Sequence, residues 1–180
     1  LISLYDYLEI KESKNFQLNI NNDEIEIEDN LITKAYFLMK SLCNEKSEFS
    51  FKVQKNIPIG AGLGGGSSNC ASTLIVLNKL FKLNLPDNKL LKIGLSLGSD
   101  VPFFIKGKNS FAKGRGELLE TIEREANYYL IIYPDIKIST ADAFKFYEEN
   151  KKDFPKHLKN DFEYFARKAY PEINEIFNLM

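Results

Sequence analysis

From Gly60 to Ser68 the chain reads Gly-Ala-Gly-Leu-Gly-Gly-Gly-Ser-Ser, which gathers five of its ten glycines into seven positions directly ahead of a helical apolar pattern. A glycine-rich turn feeding a helix start leaves backbone N–H groups unpaired at the positive end of the helix dipole, and that combination seats phosphate. Glycine is needed there because a Cβ would hold the phosphate off the backbone and because such turns visit φ > 0. Ser67 and Ser68 are N-cap candidates, and their hydroxyls are equally suited to phosphate or Mg²⁺. The competing reading is a flexible loop without function; two hydroxyl residues and a regular helix directly behind the glycines argue against it. A Walker loop requires Lys after its second Gly, whereas Gly60-x-x-x-x-Gly65 is followed by Gly66. Gly60-x-Gly62-x-x-Gly65 does fit a dinucleotide fingerprint, but the acid at the expected distance of ~20 residues, Asp87, falls in a helix begun by Pro86 and not at a strand end.

The second candidate is Asp100, in Ser99-Asp100-Val101-Pro102-Phe103-Phe104, an acid between a helix end and an apolar run. From spacing alone it reads as a helix-terminus cap, as does Thr140, while Lys55 reads as an exposed lysine at a strand end. His157, the single histidine, sits in a charged stretch and is read as a solvated surface residue. Cys43 and Cys70 are too few and too far apart for a disulfide framework or a CxxC site, so no metal-ligating side chains are assigned; Cys70 is read as a small packed residue.

The elements that must position these groups follow from periodicity. Leu4–Ile10 reads as a strand, and Phe16–Ile20 with Glu24–Glu28 as a hairpin around Asn21-Asn22-Asp23. Asn30 caps a helix with Leu31, Ala35, Leu38, Met39 and Leu42 on one face, ending near Cys43-Asn44. Phe49, Phe51 and Val53 alternate with polar residues as a half-buried strand that Pro58 halts. Helices follow after Ser68, with Ala71, Leu74, Ile75 and Leu77 to Phe81, and from Pro86 to a terminator at Gly98. Tyr128–Tyr133 reads as a buried strand, Thr140–Glu149 and Asp161–Tyr170 as helices, and Lys151–Lys156 as a solvated loop.

Composition removes other classes of function. With 14 Phe, 9 Tyr and 44% hydrophobic residues in 180, the chain can bury a core. A formal charge of -1 collects neither nucleic acid nor anionic lipid. No run approaches the ~20 apolar residues of a membrane span, and no signal sequence opens the chain, so the expectation is a soluble cytoplasmic protein without nucleic-acid or membrane partners. The chain starts without Met and stops just after a helical pattern, which reads as part of a longer chain.

Lys55-Asn-Ile-Pro58-Ile-Gly-Ala-Gly-Leu-Gly-Gly-Gly-Ser-Ser68 resembles the ATP-binding motif of the GHMP kinases, the superfamily of galactokinase, homoserine kinase and mevalonate kinase. The Gly-Leu-Gly-Gly-Gly-Ser-Ser-Asn form, Leu77-Asn78, Leu97-Gly-Ser-Asp-Val-Pro-Phe103 and Gly114-Arg-Gly-Glu117 resemble the diphosphocytidyl-methylerythritol kinases. The likeness extends to Leu4-Tyr-Asp6, Asn30-Leu31, Ser139-Thr140 and Asn160-Asp-Phe-Glu163. The resemblance implies an α+β, GHMP-kinase fold with a mixed sheet and helices in an N-terminal ATP-binding lobe, residues 1–138, and the start of a C-terminal α/β lobe, residues 139–180. It implies Mg-ATP-dependent phosphorylation of the 2-hydroxyl of diphosphocytidyl-methylerythritol, a step of the methylerythritol phosphate route to isoprenoids, by a monomer or homodimer. It places Lys55, Pro58, Ile59, Gly60, Ala61, Gly62, Leu63, Gly64, Gly65, Gly66, Ser67 and Ser68 at ATP, makes Asp100 the catalytic acid, and sets Asp100 and Thr140 at the substrate. Phosphoryl transfer asks for this equipment: positioning, neutralisation of the γ-phosphate, and a carboxylate to accept the hydroxyl proton.

The family's N-terminal Pro-Ala-Lys-x-Asn segment, whose lysine partners the catalytic acid, and its late Ser-Gly-Ser-Gly block do not occur between Leu1 and Met180. The expectation is that these 180 residues alone are poorly active and that the intact gene product is the enzyme. Two rivals stand beside this reading: a homoserine- or mevalonate-type kinase, opposed by the Asp-Val-Pro-Phe and Gly-Arg-Gly-Glu blocks, and a non-catalytic ligand-binding relative, opposed by Asp100 beside an intact glycine loop.

Overall fold

The computed structural model describes residues 1–22, 25–43, 46–136, 138–150 and 160–180. His157 and the expected loop Lys151–Lys156 lie outside the described residues, as do Asp23, Glu24 and Asn44. The chain divides into two units, Leu1–Ile57 with Gly64–Asn127, and Pro58–Leu63 with Tyr128–Met180.

In the first unit the alternation of Phe49, Phe51 and Val53 produces strand β3, Glu48–Gln54, with those three side chains buried. It is the central strand of three. On one side β1, Tyr7–Ser13, runs antiparallel to it in the register Leu8↔Val53 and Ile10↔Phe51; on the other β2, Gln17–Ile20, runs parallel with Leu18↔Phe51 and Ile20↔Val53. The expected hairpin between Phe16–Ile20 and Glu24–Glu28 does not form, and residues 25–28 are not a strand. The reason is hydrogen bonding. β2 pairs with β3, and Asn21 extends that pairing: its N–H donates to Val53 O at 3.2 Å and its Oδ1 accepts from Lys55 N at 2.7 Å. Among the described residues β2 is thus an edge strand with β3 as its one neighbour, in parallel rather than in a hairpin.

Two helices cover this sheet. Asn30 caps α1, Leu31–Ser41, by accepting from Ile32 N at 2.8 Å, as expected, and Ile32, Ala35, Tyr36 and Met39 form its buried face. Leu42, expected on that face, is the exposed C-terminal cap residue. Tyr36 is fully buried, stacks on Phe16 with centroids 4.5 Å apart, and donates its hydroxyl to Glu48, so a polar tip does not prevent it from sitting at the centre. Helix α2, Gly65–Leu80, packs along α1 and buries Cys70, Ala71, Leu74 and Leu77; each fully buried Leu or Phe of this cluster contributes about 1.5–3 kcal/mol of transfer free energy. After Phe81 the chain turns back, and Asn78 closes the turn from both sides, its Oδ1 accepting from Leu85 N at 2.9 Å and its Nδ2 donating to Leu85 O at 3.1 Å.

Pro86 begins α3, Asp87–Leu97, and Gly98 ends it. The short α4, Val101–Lys106, then crosses α3 so closely that a Cβ on Gly94 would come 2.6 Å from Ile105 Cδ1. Strands β4, Ser110–Lys113, and β5, Leu118–Thr121, form an antiparallel hairpin whose connection is the Gly114-Arg-Gly-Glu117 block, with Gly114 at φ 70° and Gly116 at φ 109°.

In the second unit Ser139 caps α5, Thr140–Asn150, by accepting from Asp142 N at 3.2 Å; Thr140 is therefore the first helical residue and not the cap. Asn160 caps α6, Asp161–Ala169, through Phe162 N at 3.0 Å, and α7 follows over Pro171–Leu179. Aromatic pairs hold α5 on α6, with Phe144 edge-on to Phe162 and Phe146 against Phe165. Tyr128–Tyr133, expected as a buried strand, is irregular, and Tyr128 and Leu130 are almost fully exposed. No strand among the described residues pairs with it, and an apolar run without a partner for its N–H and C=O groups does not become a strand. The fold class is α+β, as expected, and no helix among the described residues is long and apolar enough to cross a membrane.

Candidate functional site

The amino end of α2 is built by glycine backbone. Gly60, Gly62 and Gly64 lie at φ 71°, 70° and 70°, in the left-handed region that side-chain-bearing residues avoid. Gly64 is the N-cap; the expectation that Ser67 or Ser68 caps the helix is thereby corrected, since a left-handed Gly64 starts the helix a turn earlier and both serines fall within its first turn. Ser68 N is the first amide to find a helical partner, Gly64 O at 2.9 Å, and no side chain caps the amides before it. That end presents uncapped N–H donors on a positive dipole.

The glycines of this segment are required for different reasons. A Cβ on Gly64 would come 2.7 Å from the Phe104 ring, and one on Gly65 3.0 Å from Ile57 Cγ2 and Lys55 Nζ, so these two let the protein's own parts close up. A Cβ on Gly66 would meet nothing within 4 Å, and Gly66 has an ordinary helical backbone. Glycine in a helix costs about 0.5–1 kcal/mol against alanine, yet neither packing nor backbone conformation calls for glycine at position 66, and the space before its backbone is open. Uncapped amides behind open space fit a phosphate group. Ser68, with Asn69 and Ser72, also lines a groove of about 370 Å³ whose other side is Leu4, Tyr5 and Asp6, which leaves room along this flank of the helix end.

Asp100 stands at the start of α4, yet its side chain makes no capping bond, and among the described residues its exposed carboxylate pairs with no cation. The reading of Asp100 as a cap thus has no hydrogen bond behind it. Its position is tied to the glycine end of α2 in two ways. Phe104, on the same short helix, lies under Gly64; and the preceding Gly98 is so near that a Cβ there would come 3.9 Å from Ser67 Oγ. From the other side Gly116 presses on Ser99, and a Cβ on Gly116 would overlap the Ser99 carbonyl. The Gly-Arg-Gly-Glu block therefore braces the residue next to Asp100, and Arg115 N donates to Glu117 Oε2 at 2.6 Å to hold the turn.

Lys55 does not reach outward as a free cation. Its ammonium is paired with Asp6, and the two side chains are 9% and 1% exposed. Burial alone would raise the Asp6 pKa, but the Lys55 ammonium and the Ile57 and Asn56 amides outweigh it and hold the carboxyl below its ordinary value of 3.8. Asp6 was visible in the sequence only as part of Leu4-Tyr-Asp6; a lone acid at a strand start facing a distant lysine leaves no local spacing signal. Cys70 lies one turn into α2 and is fully buried, which pushes its thiol up to about 12, so it is packing and not a nucleophile. Thr140 is exposed and belongs to the second unit, as do Pro58, Ile59, Gly60, Ala61, Gly62 and Leu63; there Tyr133 Oη donates to Ile59 O at 3.0 Å. Among the described residues no group of three or more His, Cys, Asp or Glu side chains is placed to hold a metal ion.

Residues 30–108 match the GHMP kinases N terminal domain. The 4-diphosphocytidyl-2-C-methyl-D-erythritol kinase of Acinetobacter baumannii strain ATCC 17978 is 38% identical over 186 residues, covering 97% of this chain and 67% of that protein. The enzyme of the same name from Prochlorococcus marinus strain MIT 9515 is 44% identical over 154 residues, covering 82% and 49%. A crystal structure of 4-(cytidine 5'-diphospho)-2C-methyl-D-erythritol kinase superposes with a TM-score of 0.73 at 26% identity, over 97% of this chain and 68% of that one. The chain thus spans about two thirds of the length of the Acinetobacter relative and of the solved structure.

Proposed function

This chain belongs to the 4-diphosphocytidyl-2-C-methyl-D-erythritol kinases, a family of the GHMP kinases, and from that premise we propose that the protein it comes from transfers the γ-phosphoryl group of ATP to the 2-hydroxyl of 4-diphosphocytidyl-2-C-methyl-D-erythritol. The observation that carries the reading is the meeting, within one unit, of an uncapped glycine helix end and a free carboxylate, Asp100, on a short helix packed against it. Mg-ATP, when bound, supplies the phosphoryl group and the charge neutralisation that the transfer needs.

The chain's own residues supply the rest. The first-turn amides of α2 receive the phosphates, where Gly66 leaves their approach clear, and the Ser67 and Ser68 hydroxyls are the oxygen donors at the same end for phosphate or for an ion carried on it. Asp100 accepts the proton of the substrate hydroxyl as its oxygen forms the new bond to phosphorus and the bond to the ADP oxygen breaks. Asp100 is suited to this because its side chain makes no capping bond and, among the described residues, pairs with no cation. Thr140 is proposed to face the substrate and Pro58 to Leu63 to line the nucleotide, on the family resemblance alone. The two unpaired cysteines suit a reducing cytoplasm, which is where we place the reaction.

The test is ADP release by the full-length protein with Mg-ATP, with and without diphosphocytidyl-methylerythritol, beside homoserine and mevalonate. Release that requires the cytidyl compound is the expected result. Release only with homoserine or mevalonate would keep the nucleotide site and overturn the substrate; ATP binding without turnover on any acceptor would overturn the catalytic reading.

A further inference from the structure

One carboxylate in the first unit receives four hydrogen bonds. Asp6 Oδ1 accepts from Asn56 N at 2.8 Å and from Ile57 N at 2.9 Å; Asp6 Oδ2 accepts from Asn69 Nδ2 at 3.0 Å and from the Lys55 ammonium. These donors are not scattered. Lys55, Asn56 and Ile57 are the last residues before the glycine segment, and Asn69 is the first residue after Ser68. Asp6 itself is the residue just before β1, forty-nine positions or more away in sequence. The Asp6 side chain is only 1% exposed and that of Asn69 is buried with it, so the bonds between them and to the Lys55 ammonium are shielded, while Asn56 stands at the exposed rim of the cluster.

We infer that Asp6 is a positioning residue for ATP, acting by clamping together the two ends of the glycine segment so that the amides of α2 keep their aim. The argument is geometric and rests on the proposed kinase reading for the identity of the ligand. A segment with glycines at φ 70° has little stiffness of its own, and the distance between its ends must be set from outside. From the β2 side, Asn21 Oδ1 holds Lys55 N, the residue next to Asn56 and Ile57. Asp6 extends the hold to Asn56 and Ile57 and, through Asn69, across to the helix side. The lysine has a place in the same device. Its Nζ lies 3.0 Å from where a Gly65 Cβ would be, beneath the first turn of α2, where the dipole is positive and an ammonium is unwelcome without a counter-charge. Asp6 supplies that charge, so the lysine can support the turn from below without repelling it.

Asparagine is the informative replacement. Its carbonyl can still accept from Asn56 N and Ile57 N, but its amide then meets two donors, Lys55 Nζ and Asn69 Nδ2, so the hold on the helix side is lost and a near-buried ammonium loses its partner. The experiment uses full-length protein, wild type and Asp6→Asn, with three readouts: KM and kcat for each substrate, binding of a non-hydrolysable ATP analogue with Mg²⁺, and amide hydrogen exchange of the ligand-free protein. The expected result is a KM for ATP and a dissociation constant for the analogue raised about tenfold or more, the strength of a hydrogen bond to a charged group. The KM for the cytidyl substrate stays within about twofold and kcat at saturating ATP within about threefold, because Asp6 touches neither reactant. Exchange quickens in residues 58–69 while β3 keeps its protection. Unchanged ATP parameters with unchanged exchange would overturn the inference, as would a parallel loss in kcat and both KM values, the mark of general damage.

Should Asp6→Asn not fold, Asn69→Ala removes one donor only. It is expected to raise the KM for ATP about three- to tenfold and to quicken exchange over the same residues; no change in either overturns the clamp. If the wild-type protein binds no ATP analogue, the kinase reading fails, and the exchange comparison still decides whether Asp6 sets the segment.

Discussion

Replacing Gly66 by alanine separates the demands of folding from those of the ligand, because the two push in opposite directions at this one position. Gly66 is the second residue of α2, has a helical backbone, and has nothing within 4 Å of the place a methyl would take. The fold therefore loses nothing by Gly66→Ala and gains the usual helix preference for alanine, about 0.5–1 kcal/mol. For a protein of this size that is a rise in unfolding temperature of about 1–4 °C. On the proposed reading, the same methyl stands in the space through which a phosphate reaches the first-turn amides, and losing even part of that approach costs about tenfold in affinity, equivalent to 1.4 kcal/mol. Thermal unfolding without nucleotide and the KM for ATP, measured on the full-length variant, are the two readings needed. A protein that is more stable and binds ATP less well bears out the argument. A higher melting temperature with an unaltered KM would show that the space before Gly66 is not the path of the nucleotide, and a lower melting temperature would show that the fold itself requires the glycine. Gly64→Ala is the contrasting case: φ 70° and the Phe104 ring make it lose stability and ATP affinity together.

Asp100→Asn, which removes a proton acceptor and almost no bulk, is expected to keep ATP binding and to lower kcat at least about a hundredfold. Wild-type turnover in this variant would return Asp100 to the role of a helix-start residue. Gly116→Ala forces a methyl into the Ser99 carbonyl at φ 109°, so it moves the residue beside Asp100, and kcat should fall about tenfold or more; Gly114→Ala, at φ 70° and against the Glu117 carboxylate, also strains the turn and lowers stability but does not meet Ser99, so kcat of the folded enzyme should fall less. Equal kcat values for the two variants would mean that the turn does not brace Asp100. The folded Asp6 carboxyl titrates below 3.8, so its contribution to stability is fully present above that value and is lost as pH falls through the folded pKa. The stability gap between wild type and Asp6→Asn, followed by urea unfolding from pH 7 to pH 3, should therefore narrow below about pH 4; a gap that stays constant would mean that the carboxylate is not held by its donors.

What was legible in the sequence were features that one element settles by itself. Phe49, Phe51 and Val53 alternate and form a half-buried strand; Asn30 sits before an apolar period and caps α1; Gly98 ends α3. The candidate site drew attention where its signal is local, as in the glycine block and the acid before Val101-Pro102, whose roles in binding and transfer are proposed. The misses fall where the answer depends on a partner elsewhere in the chain. Phe16–Ile20 looks like half of a hairpin because strand propensity does not say which strand will pair with it, and β3 does so in parallel. Tyr128–Tyr133 has strand composition and no pairing among the described residues. Ser67 and Ser68 have the right chemistry for a cap, but a left-handed glycine decides where the helix begins.

Lys55 is the case in which both kinds of reasoning meet. By its residue type and spacing Lys55 reads as an exposed lysine at a strand end, and family resemblance places it at the nucleotide. Its side chain has instead been drawn inward by an acid from another strand, and its distance to Gly65 makes it part of the support under the helix turn. A cation that touched phosphate directly would lose affinity when changed to methionine and would show it in the salt dependence of ATP binding. A cation neutralised by Asp6 contributes little net field at the phosphate, so its removal should act through the geometry of the segment and leave that salt dependence nearly unchanged. On the proposed reading, the electrostatic work at the phosphate then falls to the uncapped amides of α2, whose aim the Asp6 clamp holds and whose charge does not depend on pH.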